Sequence, residues 1–193
     1  MASTAIRLTA EEFAEKRFEL ADGGRWSELV TGIVVTLEPP DLSHGNAVLN
    51  LTKAFGEQTS RDAAGYACYE LGLIIRRSPD TVLFPAVSWF NEGPRFGESD
   101  KVLTDIMPSL VVEVASTNDR RRDLRERIIT WHERGVNLVW VIDPLSERVH
   151  SIARGRTPQQ LGAGDVLRGD PVIEGFEIDV AQLFAEPSWW KKG

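Results

Sequence analysis

An α/β domain, in which a mixed β-sheet is flanked by helices, is the architecture this 193-residue sequence predicts. Three observations carry that expectation. Leu110-Val111-Val112-Glu113-Val114 and Leu138-Val139-Trp140-Val141-Ile142 are short apolar runs of the kind buried in a sheet. The chain between them spaces its apolar residues as a helix does, so strand, helix and strand read as one parallel crossover. Upstream, a hairpin pattern sits between two helical stretches, and such a mixture layers helices against a sheet.

In chain order, Thr9-Ala10-Glu11-Glu12 is a capping box, with a threonine three residues before a glutamate. It opens a helix that carries Phe13, Phe18 and Leu20. Glu28-Leu29-Val30 and residues 33–37 read as a β-hairpin across a Thr31-Gly32 turn, ended by Pro39-Pro40. Ser43 is placed to cap a second helix, with Val48, Leu51, Ala54 and Phe55 on one face and Gly65 closing the stretch. Residues 66–75 read as one strand and, after a Ser78-Pro79-Asp80 turn, residues 81–90 as another. Residues 91–108 hold breakers without a period and read as a loop. Asn118 or Asp119 is expected to cap a helix running to Arg134, with Leu124, Ile128 and Trp131 as its apolar stripe and Gly135 as its stop. Asp143-Pro144 then turns the chain into a strand over 148–152, followed by a late strand near 176–178 and a short helix at 180–184. No repeat or low-complexity tract divides the chain, and a single domain over residues 1–193 is expected.

Composition narrows the function classes. The 22 basic and 29 acidic side chains leave a net charge of -7. That balance argues against broad coating of nucleic acid, which draws its affinity from many cationic contacts with phosphate, but it permits a local basic site. No apolar run approaches the roughly 18 residues of a membrane span. The start of the chain lacks the basic and apolar blocks of a signal peptide. Cys68, the single cysteine, cannot form an internal disulfide. A cytoplasmic globular protein is the expectation.

Glu113 is the most informative residue. A carboxylate between Val112 and Val114 costs several kcal/mol to bury unless it is paired, protonated or metal-bound. Strand alternation could instead turn it to solvent. Its strand leads into a polar Ser116-Thr117-Asn118 turn and an arginine-rich helix, and open sheets place their chemistry at the carboxyl ends of strands.

Residues 111–116, 120–127, Gly135-Val136 and 140–144 together resemble the bacterial putative restriction endonuclease family, which belongs to the PD-(D/E)XK nuclease superfamily. The resemblance extends upstream through residues 8–13, 28–32, Glu38-Pro39-Pro40, His44 and 78–83, and covers about residues 7–153, with 154–193 as a C-terminal extension. It implies a restriction-endonuclease-like fold, a homodimer and Mg²⁺-dependent hydrolysis of DNA phosphodiesters. In such nucleases acidic side chains hold Mg²⁺ against the scissile phosphate, and a lysine, here displaced to the following helix, positions the attacking water. Residue by residue, Glu28 matches the first acid, Glu113 the strand glutamate, Arg127 the displaced lysine, and His44 a histidine near the start of the second helix. Glu28 and Glu113 are the metal ligands this implies.

Two positions depart from the pattern. The family's Arg-Pro-Asp-Val strand motif is Phe84-Pro85-Ala86-Val87 here, so the central metal ligand has become Ala86. Asp80 lies six residues back along an extended chain, about 20 Å away, and Ser88 is neutral. Arg127 keeps the charge of a lysine but cannot give or take a proton. A Glu113–Arg127 ion pair in place of the metal is one expected consequence, and an impaired or inactive site is another. The alternatives are a binding protein without catalysis, for nucleic acid or a protein partner, and a regulatory homodimer.

The remaining candidates have plainer readings beside the functional ones. Arg120, Arg121 and Arg122 are placed to contact nucleic-acid phosphate, yet Asp119, Asp123 and Glu126 stand at pairing distances, as on a solvated face. Glu28 could be an exposed hairpin residue and His44 a helix cap. Trp131 and Trp140 read as packing, while Trp189-Trp190 read as a tail that clasps the domain or a second subunit.

Overall fold

The computed structural model describes residues 7–60 and 65–187. The capping box forms as expected: Thr9 starts helix α1 (Ala10–Lys16), with the hydroxyl and the Glu12 carboxylate each accepting a backbone N–H. The hairpin pairs β1 (Ser27–Val30) with β2 (Ile33–Thr36), setting Glu28 opposite Val35. Its two-residue turn puts Thr31 at φ 52° and Gly32 at φ 81°, the left-handed pair that matches the twist of the strands. Helix α2 (Leu42–Ser60) begins one residue before Ser43. The Asp41 carboxylate accepts the His44 N–H, so Asp41 supplies the cap expected of Ser43.

Each of the two long strands expected in the middle of the chain is two strands. Residues 66–75 divide into β3 (Tyr66–Tyr69) and β4 (Gly72–Arg76), with Glu70 at φ 51° in the bend between them. A Cβ on Gly72 would come within 2.4 Å of the Leu103 side chain and 2.6 Å of the Phe84 ring, so a larger residue here would have to displace both. Residues 81–90 divide into β5 (Thr81–Leu83) and β6 (Val87–Phe90). Between them Pro85 offers no N–H to a ladder, and the chain crosses from one sheet to the other through Phe84-Pro85-Ala86. The loop expected over 91–108 contains the two-residue strand β7 (Leu103–Thr104).

β8 (Leu110–Val114) and β9 (Leu138–Asp143) are parallel, joined by α3 (Asn118–Arg122) and α4 (Leu124–Glu133). The single helix expected over this stretch is therefore broken, at Asp123, whose φ of -98° and ψ of 4° leave the helical region. The cap is Thr117, not Asn118 or Asp119; its hydroxyl donates to the Asp119 carboxylate. Gly135 ends α4 at φ 97°, as expected. β10 (Arg148–Ala153), β11 (Gln159–Leu161), β12 (Val166–Arg168), β13 (Glu177–Asp179) and α5 (Val180–Phe184) follow.

The strands form a five-stranded sheet in the order β2-β1-β5-β4-β7 and a six-stranded sheet in the order β11-β10-β9-β8-β6-β3, with β12 and β13 as a separate ribbon. Both larger sheets mix parallel and antiparallel pairs, which is the mixed α/β architecture expected. β8 is buried along its whole length because both of its faces are covered. Leu110, Val112 and Val114 pack toward α2, where Phe55 stacks on Trp140 with the rings 7° from parallel. Val111 and Ala115 pack toward Trp131 of α4. Alternation assigns Glu113 to this second face. A third core joins Phe13 of α1 to Leu29 and Val82. No helix among the described residues is long and apolar enough to cross a membrane. Trp189-Trp190 lie outside the described residues.

Candidate functional site

Glu28, Glu113 and Arg127 come from β1, β8 and α4 and converge on one point. Both carboxylates are buried, Glu28 at 4% and Glu113 at 6% exposure, so neither is the solvent-facing residue that its strand alone allowed. Helix spacing explains the third member. Arg127 lies three residues after Leu124 and four before Trp131, and α4 lays that stripe over the β8 face that carries Glu113.

The guanidinium bridges the two acids. Nε donates to Glu113 Oε1 at 2.9 Å and Nη2 to Glu113 Oε2 at 3.2 Å. Nη1 reaches Glu28 Oε2 at 2.7 Å and Oε1 at 2.9 Å. A planar fork with five donors meets a carboxylate in this way, whereas a lysine ammonium acts as a point charge. Two further donors complete the acids: the Trp131 indole N–H to Glu113 Oε1 at 2.7 Å, and the Phe84 backbone N–H to Glu28 Oε1 at 2.8 Å. Arg17 holds Phe84 in place, its guanidinium 4.2 Å above the ring. Burial would lower the pKa of Arg127, but Glu113 and then Glu28 outweigh it, and the guanidinium stays charged.

The donor set does not fit Mg²⁺. A hard cation of that kind takes six oxygen donors in octahedral array. Here every carboxylate oxygen of Glu28 and Glu113 already accepts a hydrogen bond, and the third position is the methyl group of Ala86. Among the described residues no group of three His, Cys, Asp or Glu side chains is arranged to hold a metal. Asp80 cannot fill the gap, because its carboxylate accepts from the backbone N–H groups of Ala10 and Ser78 and pairs with Arg77. Ser88 is 1% exposed and packed away in the sheet.

A cavity of about 500 Å³ opens beside the bridge, walled by Trp26, Glu28, His44, Phe84, Ala86, Glu113 and Arg120. His44 Nδ1 lies 3.0 Å from Ser116 Oγ. Burial, and next the charge of Arg120, push its pKa down to about 4 against a partial offset from Asp41, so the imidazole is neutral at pH 7. The three arginines of the basic run have different settings. Arg121 pairs with Asp143 at 3.1 Å, and exposed Arg122 pairs with Asp123 at 3.3 Å. Arg120 alone of the three lines the cavity.

The structure thus brings together Glu28, Glu113, Arg127, Ala86, His44 and Arg120, and leaves Arg121 and Arg122 outside. Trp131 read as core packing in the sequence, and packing it is, but its indole N–H also orients Glu113. Its place four residues after Arg127 is the signal that pairs it with the site. The Ser116 hydroxyl and the Phe84 N–H have no comparable signature, because their partners lie 72 and 56 residues away in the chain.

The fold is shared with a protein of known structure. The chain matches the crystal structure of a putative nuclease belonging to DUF820 from Anabaena variabilis ATCC 29413, with a TM-score of 0.73 and 17% identity over 92% of this chain and 97% of that one. A family model described as "Uma2: Putative restriction endonuclease" matches residues 10–181, and the chain belongs to that family. No curated protein matches the sequence.

Proposed function

We propose that this member of the endonuclease-like family binds nucleic acid without hydrolysing it. The observation that carries the reading is the Arg127 bridge between Glu28 and Glu113 beside Ala86. Metal-dependent hydrolysis needs carboxylate oxygens free to hold a cation against the phosphate, and a water whose pKa that cation lowers. These two carboxylates are already matched by a guanidinium, and Arg127 cannot relay a proton. His44, neutral at pH 7, could accept a proton, but a group with a pKa near 4 is a weak base for water. What survives is a cleft on a nuclease-like scaffold, lined by Arg25 and Arg120 together with Glu28, Asp41, Glu70 and Glu113, and DNA is the substrate class that family membership favours.

The test is cleavage of supercoiled plasmid with Mg²⁺ or Mn²⁺ by the chain as it stands and by an Ala86→Asp, Arg127→Lys double variant. The expected result is no cleavage by the parent and measurable cleavage by the variant. Cleavage by the parent overturns the reading; a folded but inactive double variant counts against an inherited nuclease site. A salt titration of binding separates the rival, a regulatory homodimer with no nucleic-acid role. Phosphate contacts weaken steeply as salt rises, and an absent or flat response favours the rival.

A further inference from the structure

We propose that β2 is a docking edge for a second copy of this chain, the two β2 strands pairing antiparallel about a two-fold axis at Val35.

β2 ends the five-stranded sheet, with β1 on one side and no strand on the other among the described residues. The phase of the hairpin ladder defines what that open side offers. A two-residue turn makes its flanking pair, Val30 and Ile33, hydrogen-bonded, and an antiparallel ladder alternates from there. The next bonded pairs are Glu28 with Val35 and Trp26 with Leu37, and the Leu37 N–H does donate to the Trp26 C=O at 2.7 Å. Val34 and Thr36 therefore turn their N–H and C=O groups outward. The outward series is closed at both ends. The Gly32 C=O accepts the Leu8 N–H at 2.8 Å, and the Glu38 N–H donates to the Asp119 carboxylate at 2.6 Å. What stays open is a short row of donors and acceptors, symmetric about Val35.

That symmetry selects the occupant. A second copy running antiparallel offers the same groups at the same spacing. Val34 of each copy faces Thr36 of the other, and both bonds are exchanged at each end of the row. The side chains agree with this register. On one face Val35 meets its own counterpart and Ile33 meets Leu37 of the other copy; on the other face Val34 meets Thr36. Ile33 and Val35 are 43% and 37% exposed, so apolar surface now open to water is covered, and no charge is set opposite a like charge. Edge strands that stay single are ordinarily blunted by a lysine, a proline or a bulge. Ile33-Val34-Val35-Thr36 has none of these, and all four residues are β-branched. With no charge along it, the strand gives a charged peptide nothing to read. Because Val35 is the ladder partner of Glu28, the axis also puts both Glu28 side chains on the same face of one continuous sheet, three strand spacings or about 14 Å apart.

Sedimentation equilibrium of the full chain tests this, with a mass of twice 21.5 kDa expected. Thr36→Pro deletes an outward N–H and no bond to β1, and is expected to weaken the dimer about tenfold or more with an unchanged far-UV spectrum. Register is read by cross-linking in a Cys68→Ser background, which removes the one native thiol. Val35 and its counterpart form a non-hydrogen-bonded pair with Cα atoms about 4.5 Å apart, within disulfide reach, so Val35→Cys is expected to oxidise to a covalent dimer. Ile33→Cys, which faces Leu37, is expected to do so about tenfold more slowly or not at all. A parent that stays monomeric at about 100 µM, a dimer that Thr36→Pro leaves intact, or cross-linking as fast at position 33 as at 35 overturns the proposal. If Thr36→Pro does not fold, the cross-linking comparison decides. A monomeric parent that dimerises once residues 1–6 are removed assigns the edge to that segment of the same chain and overturns the proposal too.

Discussion

Arg127 meets Glu113 side-on, Nε to Oε1 and Nη2 to Oε2, and spends its remaining nitrogen, Nη1, on Glu28. One cation thus serves two buried anions. Removing it leaves both carboxylates unpaired, and breaking a buried pair in this way costs about 3–5 kcal/mol. Arg127→Ala is expected to lose that much in urea denaturation. The same substitution combined with Glu28→Gln and Glu113→Gln removes the stranded charges and is expected to recover part of the loss. A single variant as stable as the parent sinks the account of the bridge.

Trp131→Phe keeps a six-membered aromatic ring but deletes the N–H that Glu113 Oε1 accepts at 2.7 Å, together with the pyrrole half of a fully buried indole. Hydrogen bonds to charged groups contribute about 1.5–3 kcal/mol, and the loss is expected to reach at least that range, with the vacated core volume adding to it. In an Arg127→Ala background it is expected to change, because both side chains act on the same carboxylate. Additive losses in a double-mutant cycle would show that they do not.

His44 gives a pH signature. Its pKa falls from an ordinary 6.5 to about 4, so the unfolded chain binds the extra proton first as pH drops. Stability is therefore present in full above pH 6.5 and declines as pH falls from there to about 4, by at most about 3 kcal/mol from this group. His44→Asn is expected to remove that part of the slope. An unchanged slope in the variant assigns the pH response elsewhere.

Asp80 works at the other end of the hairpin. Burial alone would raise its pKa, but hydrogen bonds from Ser78 and Ala10 and the charge of Arg77 hold it below the ordinary 3.8. Its contribution is present above that value and is lost as pH falls through the lowered one. Asp80→Ala strands two N–H groups, one of them at the start of α1, and is expected to cost about 2–3 kcal/mol by thermal or urea melting, with the fold retained.

The hairpin, the capping box, the β8–β9 crossover and the α4 stripe were legible in the sequence because each is a local pattern of period two or 3.6 or a short capping motif. The breaks at Glu70 and Phe84-Pro85-Ala86 were not, since apolar residues continue across them and the change of sheet is dictated by tertiary pairing. Arg127 was placed near Glu113 by counting residues along the helix and by family likeness. That it also grips Glu28, 99 residues away, could not be counted, because it depends on how the two sheets face each other. Arg120 reads in the sequence as one more member of a solvated run, and its place in the cavity wall, visible only in three dimensions, sets it apart.

β1 belongs to the five-stranded sheet and β8 to the six-stranded one, so the Arg127 clasp is also a rivet between sheets. Hinge-like breathing of one sheet against the other at this corner must first pull a buried cation away from an anion. The clasp is expected to stiffen the cavity wall for that reason, so a ligand of the proposed kind would meet a seat already shaped instead of one it must mould at its own entropic cost.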